Sequence, residues 1–543
     1  MKKTLIILAT VTLTLASCGD SFLTREYAGG QISQDVFDKL PASKLEGTLQ
    51  GLYSMIYSDG SSSHDVFGQR SIDLWGDICC GDIAVTNKTY GWLYTDECMQ
   101  TYGRTGYVWG FYYDIIHNAN TVIRSIEASS KIQELVGQYG WPSEANPEHE
   151  YTDEEITYAI YLAQALALRG YCYSNLARWY TPVEDNEYMG GAGKNIETFE
   201  CAPIYTESNM DQTQPLAMSS AVYDQGISDL TKSVQYFEEF GKNFTRSSKL
   251  IIDLDVANGL LAYACLNCAP YYANYNDGGV KAKEYWQKAF DNAKAVIDRG
   301  NYPMLSQKEL YTTGFNEVKT ACWMWGQDVV TETASGLKSW FGQMDIHSYS
   351  YSWAGDTKVI DANLRDQMPD WDGRKLWFND GKEKSAFVDC PDGKFYSAQN
   401  PTSTAAEDLD REWLSDNIFM RVDVMYLIAA EAAYFLDQYQ TSISYLTTLT
   451  DQRMNPKYPL SAEDYAEYKT SLSNSEELLK QIIYNWRIEM WGEGYGYQTF
   501  RRLTKKIARG SNHQVTGDAD ASMAQFNMNI PSSETTYNPY IKH

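Results

Sequence analysis

Residues 154–180 read EEITYAIYLAQALALRGYCYSNLARWY, and Thr181 and Pro182 follow them directly. Apolar residues recur through this stretch with the 3.6-residue period of an α-helix. A residue that precedes proline disfavours helical backbone, so the helix should end next to Tyr180. The stretch therefore predicts one long helix, rich in the Ala and Leu that favour helical structure.

Further segments on both sides of the chain's middle show the same period. Paired amphipathic helices of this length, separated by short breaks, are typical of tetratricopeptide-like hairpins. We therefore predict an all-α fold built on a tetratricopeptide-like helical repeat scaffold. The additional predicted helices are residues 220–240, 254–274, 280–299 (with Gly300 as its cap), 417–437, 440–454 and 475–492.

Two long tracts, at about 59–107 and 301–416, carry Gly, Asp, Ser, Tyr and Trp instead of periodic apolar residues. Loops of that length inside an ordered protein are usually functional. Loops held by a rigid scaffold are also where binding residues concentrate. We predict that the scaffold carries large irregular aromatic loops, which form ligand-binding insertions at these two places.

Composition excludes some classes of function. The 543 residues carry a formal charge of −26, and a surface this acidic repels the phosphate backbone of nucleic acids. Aromatic residues make up 14% of the chain, and 42 of them are Tyr, whose polar tip suits half-exposed surfaces. The composition favours a large body with aromatic surface and argues against nucleic-acid binding.

The amino terminus predicts export. Lys2 and Lys3 precede a short apolar run over residues 5–16, and Leu-Ala-Ser-Cys ends it at Cys18. A membrane-spanning helix needs about 20 apolar residues, so the run fits a signal peptide over residues 1–17. The ending resembles a lipobox, in which Cys18 is lipidated. The expected product is a body of residues 18–543 that contacts the membrane through its lipid anchor only.

The chain shows no motif of an enzyme or a metal site. It has neither HExxH nor G-x-S-x-G, and Cys265 and Cys268 form a lone C-x-x-C without a second pair at zinc-ribbon spacing. We expect no catalytic residue, no metal ligand and no cofactor, and the cysteines should be buried structural thiols. Calcium binding in an Asp-rich turn such as Asp370 to Gly373 stays open, as does a pair of catalytic carboxylates.

Five ordered stretches resemble the SusD/RagB family of nutrient-binding outer-membrane lipoproteins of Bacteroidetes. The resemblance covers both ends and most predicted helices, and it leaves out the loops at 59–107 and 301–416. The stretches are Cys18 to Leu23 (CGDSFL), Ala163 to Pro182, Phe419 to Ala432, Ile483 to Leu503, and Ile530 to Glu534 with Asn538-Pro539.

This resemblance implies a function without a covalent step. Members of the family capture oligosaccharides at the cell surface and deliver them to a SusC-like TonB-dependent transporter of the outer membrane. The same location, partner and role in polysaccharide utilisation are therefore expected here, and the chain should not be an enzyme. Two alternatives stay open: a peptide or glycopeptide binder of the same family, and a lipid-anchored glycoside hydrolase.

The resemblance also indicates where a ligand would bind, because family members use aromatic loops for this. Sugar rings stack their apolar face on aromatic rings, while their hydroxyls need hydrogen-bonding groups. Candidates for the polar contacts are Arg70, Asp77, Asn87 and Asp356. The aromatic residues expected to contact the ligand are Trp75, Trp92, Tyr94, Trp340, Tyr349 and Trp353.

Residues 483–503 carry charges of both signs within and just after one predicted helix: Arg487, Glu489, Glu493 and Arg502. Buried pairs of arginine and carboxylate can hold helices in register. We expect these four residues to be structural rather than catalytic.

Overall fold

The structure is a computed structural model of the chain. It describes residues 42–57, 64–87, 103–128, 150–183, 196–273, 279–311, 314–330, 333, 336–346, 349–382, 385–391, 393–395, 415–504 and 506–541.

Helices dominate the described residues. The helices before the second aromatic tract are α1 (Ala42–Tyr57), α2 (Gln69–Cys79), α3 (Arg104–Glu127), α4 (Asp153–Tyr180), α5 (Ser219–Phe240), α6 (Leu254–Cys268) and α7 (Val280–Arg299). Those within and after it are α8 (Trp340–Met344), α9 (Ala362–Asp366), α10 (Val422–Phe435), α11 (Tyr439–Asp451), α12 (Ala462–Ser471), α13 (Ser475–Glu489), α14 (Gly496–Leu503) and α15 (Ser532–Tyr537).

The strands are short and form two-stranded antiparallel ladders. The pairs are β1 with β5, β2 with β3, β4 with β6, and β7 with β8. In chain order they are β1 (Ile83–Val85), β2 (Glu200–Pro203), β3 (Leu216–Met218), β4 (Trp323–Gln327), β5 (Lys358–Ile360), β6 (Asn417–Arg421), β7 (Lys506–Ile507) and β8 (Ala519–Asp520).

The scaffold is a row of helices in which each packs on the next. Helix α3 packs on α4, α4 on α5, α5 on α6 and α6 on α7, and the row continues through α10 to α11. Apolar side chains from all of these helices join one buried core. The predicted all-α, tetratricopeptide-like scaffold is confirmed. Helices α7 and α10 are direct neighbours, so the long aromatic tract between them in the chain is an insertion into the row.

Helix α4 shows how local sequence sets a helix's ends. Thr152 accepts a hydrogen bond from the backbone N–H of Glu155, and the Glu155 carboxylate accepts one from the N–H of Thr152. This reciprocal pair satisfies two backbone donors that the first turn leaves without helical partners. The helix ends at Tyr180, next to Thr181 and Pro182 as predicted.

Two predictions of local structure are wrong. Residues 417–421 are not the first turn of a helix but strand β6, because they pair with β4 and place the Arg421 side chain in the core. The sequence of a short apolar run fits a strand or a helix equally well, so its structure depends on whether a partner strand lies beside it. The tract at 59–107, predicted as loop, contains helix α2, which is buried along most of its length.

Candidate ligand-binding face

The two aromatic tracts, far apart in the chain, meet in the folded protein. Strand β1 of the first tract pairs with β5 of the second, with Ile83 opposite Ile360 and Val85 opposite Lys358. The pairing continues past the strands, where the N–H of Thr86 donates to the carbonyl of Thr357 at 3.2 Å. The backbone that leaves β1 therefore lies beside the loop at 349–357 that leads into β5.

Backbone hydrogen bonds fold the loop at 349–357 into successive tight turns. The N–H of Ala354 donates to the carbonyl of Ser350 at 3.0 Å, and that of Asp356 donates to the carbonyl of Tyr351 at 2.9 Å. Gly355 has φ 104°, which a side chain would disfavour. The loop is thereby held in one conformation by its own backbone.

This loop presents two aromatic rings to solvent. Tyr349 is 45% exposed and Trp353 is half-buried, and their ring centroids lie 5.6 Å apart with the planes at 64°. Edge-to-face pairs of this kind stabilise each other and stay rigid. The two predicted contact residues thus form one aromatic platform, which we call the Tyr349–Trp353 pair.

A buried polar cluster lies beneath the platform. The ammonium of Lys358 donates to the Asp356 carboxylate at 2.9 Å and to the side-chain oxygen of Gln343 at 3.1 Å. Burial lowers the pKa of Lys358, although the Asp356 carboxylate opposes that shift. An ion pair removed from water is costly to break, so this cluster anchors the loop on β5. Sequence reasoning missed Lys358 and Gln343, because no local pattern brings them together.

Of the polar candidates, only Asn87 is exposed at this face. Its side-chain NH₂ donates to the carbonyl of Gly355 at 3.0 Å, which places its amide next to the loop that carries Trp353. Arg70, Asp77 and Asp356 are each no more than 3% exposed and bond within the protein, which contradicts the expectation that they contact a ligand.

Two predicted aromatic contacts belong to the core. Trp75 lies on helix α2 and is 1% exposed, packed edge-to-face against Tyr107. Trp340 begins helix α8 and is 3% exposed, with its ring centroid 4.2 Å from that of Phe395. The structure therefore corrects the expectation for Trp75 and Trp340, since neither presents a ring face to solvent. Trp92 and Tyr94, like Cys18 and the signal peptide, lie outside the described residues.

The cysteines and carboxylates of the described region do not form a metal site. Within that region no group of three or more His, Cys, Asp or Glu side chains could hold a metal ion. Burial raises the pKa of Cys265 to about 12, which keeps this thiol protonated at neutral pH. The described cysteines are all buried free thiols: Cys79, Cys80, Cys172, Cys201, Cys265, Cys268, Cys322 and Cys390.

The helices of the described residues are also too short or too polar to cross a bilayer. Three cavities are lined by other parts of the described chain. One of about 480 Å³ lies against α3 and α15, another of that volume lies where α4 begins and α5 ends, and one of about 410 Å³ lies beside α9 and β7. Neither Tyr349 nor Trp353 lines any of these three cavities.

Comparison with known proteins finds similarity to proteins of the SusD family. The model of the SusD family matches residues 326–541. A SusD-like protein of Bacteroides ovatus is 24% identical over 312 residues, which are 57% of this chain and 46% of that relative. The matched stretch thus spans about half the length of the relative.

Solved structures extend the likeness to the amino-terminal half. A SusD-like carbohydrate binding protein of Bacteroides vulgatus has a TM-score of 0.67 at 20% identity, over 92% of this chain and 97% of its own. A SusD superfamily protein of Bacteroides thetaiotaomicron has a TM-score of 0.66 at 18% identity, over 93% of this chain and 99% of its own. At these identities the structures show the same fold. Together with the match of the family model to residues 326–541, they support the resemblance to the SusD/RagB family.

Proposed function

We propose that this chain is a glycan-binding lipoprotein of the outer membrane. It captures oligosaccharides at the cell surface and delivers them to a SusC-like TonB-dependent transporter. The match to the SusD family model supports this proposal, as does the likeness of the fold to a carbohydrate binding protein of Bacteroides vulgatus. The lipobox-like ending at Cys18 supports the lipid anchor.

The observation that carries the proposal is the Tyr349–Trp353 pair. Its rings are partly exposed, inclined to one another and mounted on a loop whose backbone is fixed. A sugar ring can stack its apolar face on one ring and contact the other with its edge. The exposed Asn87 amide beside the loop supplies a directional partner for a hydroxyl group.

The arrangement favours a binder over the hydrolase alternative at this face. A glycosidase needs two carboxyl groups on either side of the bond to be cleaved. The carboxylates flanking the loop, Asp345 and Asp356, are 1% and 2% exposed, and Asp356 is paired with Lys358. Neither is presented to a sugar stacked on the platform.

The test combines Tyr349→Ala and Trp353→Ala in the full lipoprotein, held in detergent. A glycan array identifies the ligand, and titration calorimetry measures its affinity for wild type and variant. Aromatic residues at the centre of an interface typically contribute 2 kcal/mol or more, so we expect the dissociation constant to rise by at least about tenfold.

The matched control is Tyr458→Ala, which removes a 64% exposed tyrosine on another surface and should leave the affinity unchanged. Unchanged glycan affinity in the double variant would refute the placement of the site. Cleaved products after prolonged incubation of the wild type with the bound glycan would instead indicate a hydrolase.

A further inference from the structure

A cavity of about 480 Å³ lies between the amino-terminal half of the scaffold and the carboxyl-terminal helix. Helix α3 forms one wall with residues one turn apart, including Trp109 and Tyr113. The chain after β2 adds Tyr205, and α15 adds Glu534. Segments far apart in the sequence thus build a space of the size that small ligands occupy.

Three aromatic rings form a continuous wall. The centroids of Trp109 and Tyr113 lie 5.0 Å apart, and those of Tyr113 and Tyr205 lie 5.8 Å apart with the planes nearly perpendicular at 85°. The Tyr113 hydroxyl donates to the carbonyl of Pro203 at 2.7 Å. The Tyr205 hydroxyl accepts from the N–H of Gln214 at 3.4 Å, so bonds to the backbone hold both phenols.

The charges on the lining are mainly negative. Asp114, Asp211 and Glu534 contribute carboxylates, and His117 is the only basic side chain of the lining. Asp211 pairs with Arg124 at 2.8 Å, whereas Asp114 and Glu534 form no ion pair with any described residue.

The negative charge of these carboxylates affects the pKa values of the tyrosines in the aromatic wall. Burial raises the pKa of Tyr113 and of Tyr205, and the nearby Glu534 charge raises both further. Burial also raises the pKa of Asp114, and the neighbouring His117 opposes this shift without cancelling it. An aromatic, electronegative cavity is the kind of site that stabilises a positive charge.

We propose that this cavity binds a small organic cation, namely an alkylammonium group of the size of a lysine side chain. The ring faces of Trp109, Tyr113 and Tyr205 would contact the alkyl chain and the charge, while Asp114 and Glu534 would accept the ammonium hydrogens. This site is separate from the Tyr349–Trp353 pair and does not depend on the proposed glycan-binding function.

Titration calorimetry with matched probes tests the proposal on the full lipoprotein in detergent. Nα-acetyl-lysine methylamide carries the ammonium group, and Nα-acetyl-norleucine methylamide is the neutral comparison. We expect binding of the first that weakens with added salt and no binding of the second. Glucosamine and glucose form a second pair, which shows whether an amino sugar can supply the same ammonium group.

The variant combines Asp114→Asn with Glu534→Gln and should weaken binding of the lysine probe at least about tenfold, which corresponds to the loss of one charge-assisted hydrogen bond or more. Glutamine at 534 retains an oxygen to accept the 2.7 Å bond from the Asn538 amide, so α15 should keep its place. Glu463→Gln, at an exposed position on helix α12, is the matched control and should bind like wild type.

Asp114→Asn alone, at an exposed position on α3, keeps the test informative if the double change disturbs folding. Equal binding of the norleucine probe, unchanged affinity in the variants, or no binding of either cationic probe by the wild type would overturn the proposal. Loss of glycan binding in the Tyr349 and Trp353 variant leaves this result untouched, so the two proposals fail separately.

Discussion

At the scale of single residues, the Glu489 carboxylate joins three separate segments of the chain through ion pairs with arginines. Its carboxylate lies 2.7 Å from Arg421, 2.8 Å from Arg453 and 3.0 Å from Arg374, and all four side chains are fully buried. Burial opposes ionisation of Glu489, but the arginines outweigh it and hold the pKa of its carboxyl well below the usual range. The sequence predicted a structural charged residue here, and the partners confirm it.

The same cluster secures the second aromatic tract to the scaffold. Arg374 and Lys394 both come from that tract, and Lys394 lies 2.8 Å from Glu493. Burial lowers the pKa of Lys394 to about 8, although its acidic neighbour opposes the shift. These contacts hold the insertion that carries the Tyr349–Trp353 pair against helix α13 and the chain just after it.

Replacing Glu489 with Gln should therefore destabilise the protein strongly. Three arginines would lose their shared counter-charge in the core, and breaking buried pairs in this way costs about 3–5 kcal/mol. Denaturant unfolding followed by circular dichroism at pH 7 measures the change. Glu463→Gln on the exposed helix α12 should leave the midpoint unchanged. A Glu489→Gln midpoint equal to that of wild type would contradict this account.

The same variant has a predictable pH dependence. Folding lowers the pKa of the Glu489 carboxyl, so this group stabilises the folded state at pH values above its pKa in the unfolded chain, which is about 4.3 for Glu. The stabilisation decreases below that pH and is lost once the pH falls through the pKa of the folded state. The stability difference between wild type and Glu489→Gln should therefore be full at pH 7 and should narrow below about pH 4.3. A difference that stays constant down to pH 3 would be inconsistent with an ionised Glu489.

At the scale of secondary elements, the contact between α4 and α5 depends on two glycines. A Cβ at Gly226 would come within 2.7 Å of the Ser174 hydroxyl and 2.9 Å of its backbone nitrogen, and one at Gly170 within 2.8 Å of the Gly226 carbonyl. The two backbones therefore approach each other more closely than any side chain would allow. This contact sets how two central helices of the scaffold cross.

Gly226→Ala should push α4 and α5 apart. Added volume in a packed interior costs about 1–3 kcal/mol, and that loss outweighs the better helix propensity of alanine. Gly110→Ala is the matched control, because a Cβ at this position on α3 meets nothing within 4 Å. It should be neutral or stabilise by up to about 1 kcal/mol. The thermal unfolding midpoints of both variants, compared with that of wild type, test this prediction. A lowered midpoint for Gly110→Ala together with an unchanged midpoint for Gly226→Ala would contradict it.

At the scale of the whole molecule, one insertion carries the proposed binding platform, the Tyr349–Trp353 pair. The tract at 301–416 leaves the row of helices after α7 and returns to it at β6 and α10. On its way it pairs with β1, so that both aromatic tracts lie together on one side of that ladder. The proposed ligand-binding face is thus a product of the insertion, and the row of helices supplies its support.

The anchoring of this body is a whole-molecule property that the sequence predicts. Cys18→Ser should abolish lipidation, because serine cannot form the thioether through which a lipobox cysteine is modified. We expect loss of labelled palmitate and transfer of the protein to the aqueous phase in detergent phase separation. Cys265→Ser, which changes a buried thiol, should keep the label. A labelled, membrane-bound Cys18→Ser protein would show that the anchor lies elsewhere.

Periodicity, capping residues and motifs in the sequence predict many of the helices of the row and the resemblance to the SusD/RagB family. The bounds of α4, α5, α7 and α11 agree with the predicted segments to within three residues. A helix makes its backbone hydrogen bonds within its own segment, and local residues signal where it begins and ends. The Arg and Glu residues of α13 were recognisable as structural because charges of both signs lie within and just after one predicted helix. The strand β6 was missed, because a strand depends on a partner that its own residues do not reveal.

Only the tertiary structure decided which aromatic residues face solvent. Trp75 and Trp340 lie in tracts that the sequence predicts as loops, yet helices α2 and α8 bury their side chains in the core. The loop of tight turns at 349–357 instead leaves Tyr349 and Trp353 partly exposed. Burial of a side chain depends on segments that approach from elsewhere in the chain, as β1 and β5 do. The sequence alone determined a helical scaffold with aromatic loops, and long-range packing determined which of the described aromatic residues are exposed to solvent.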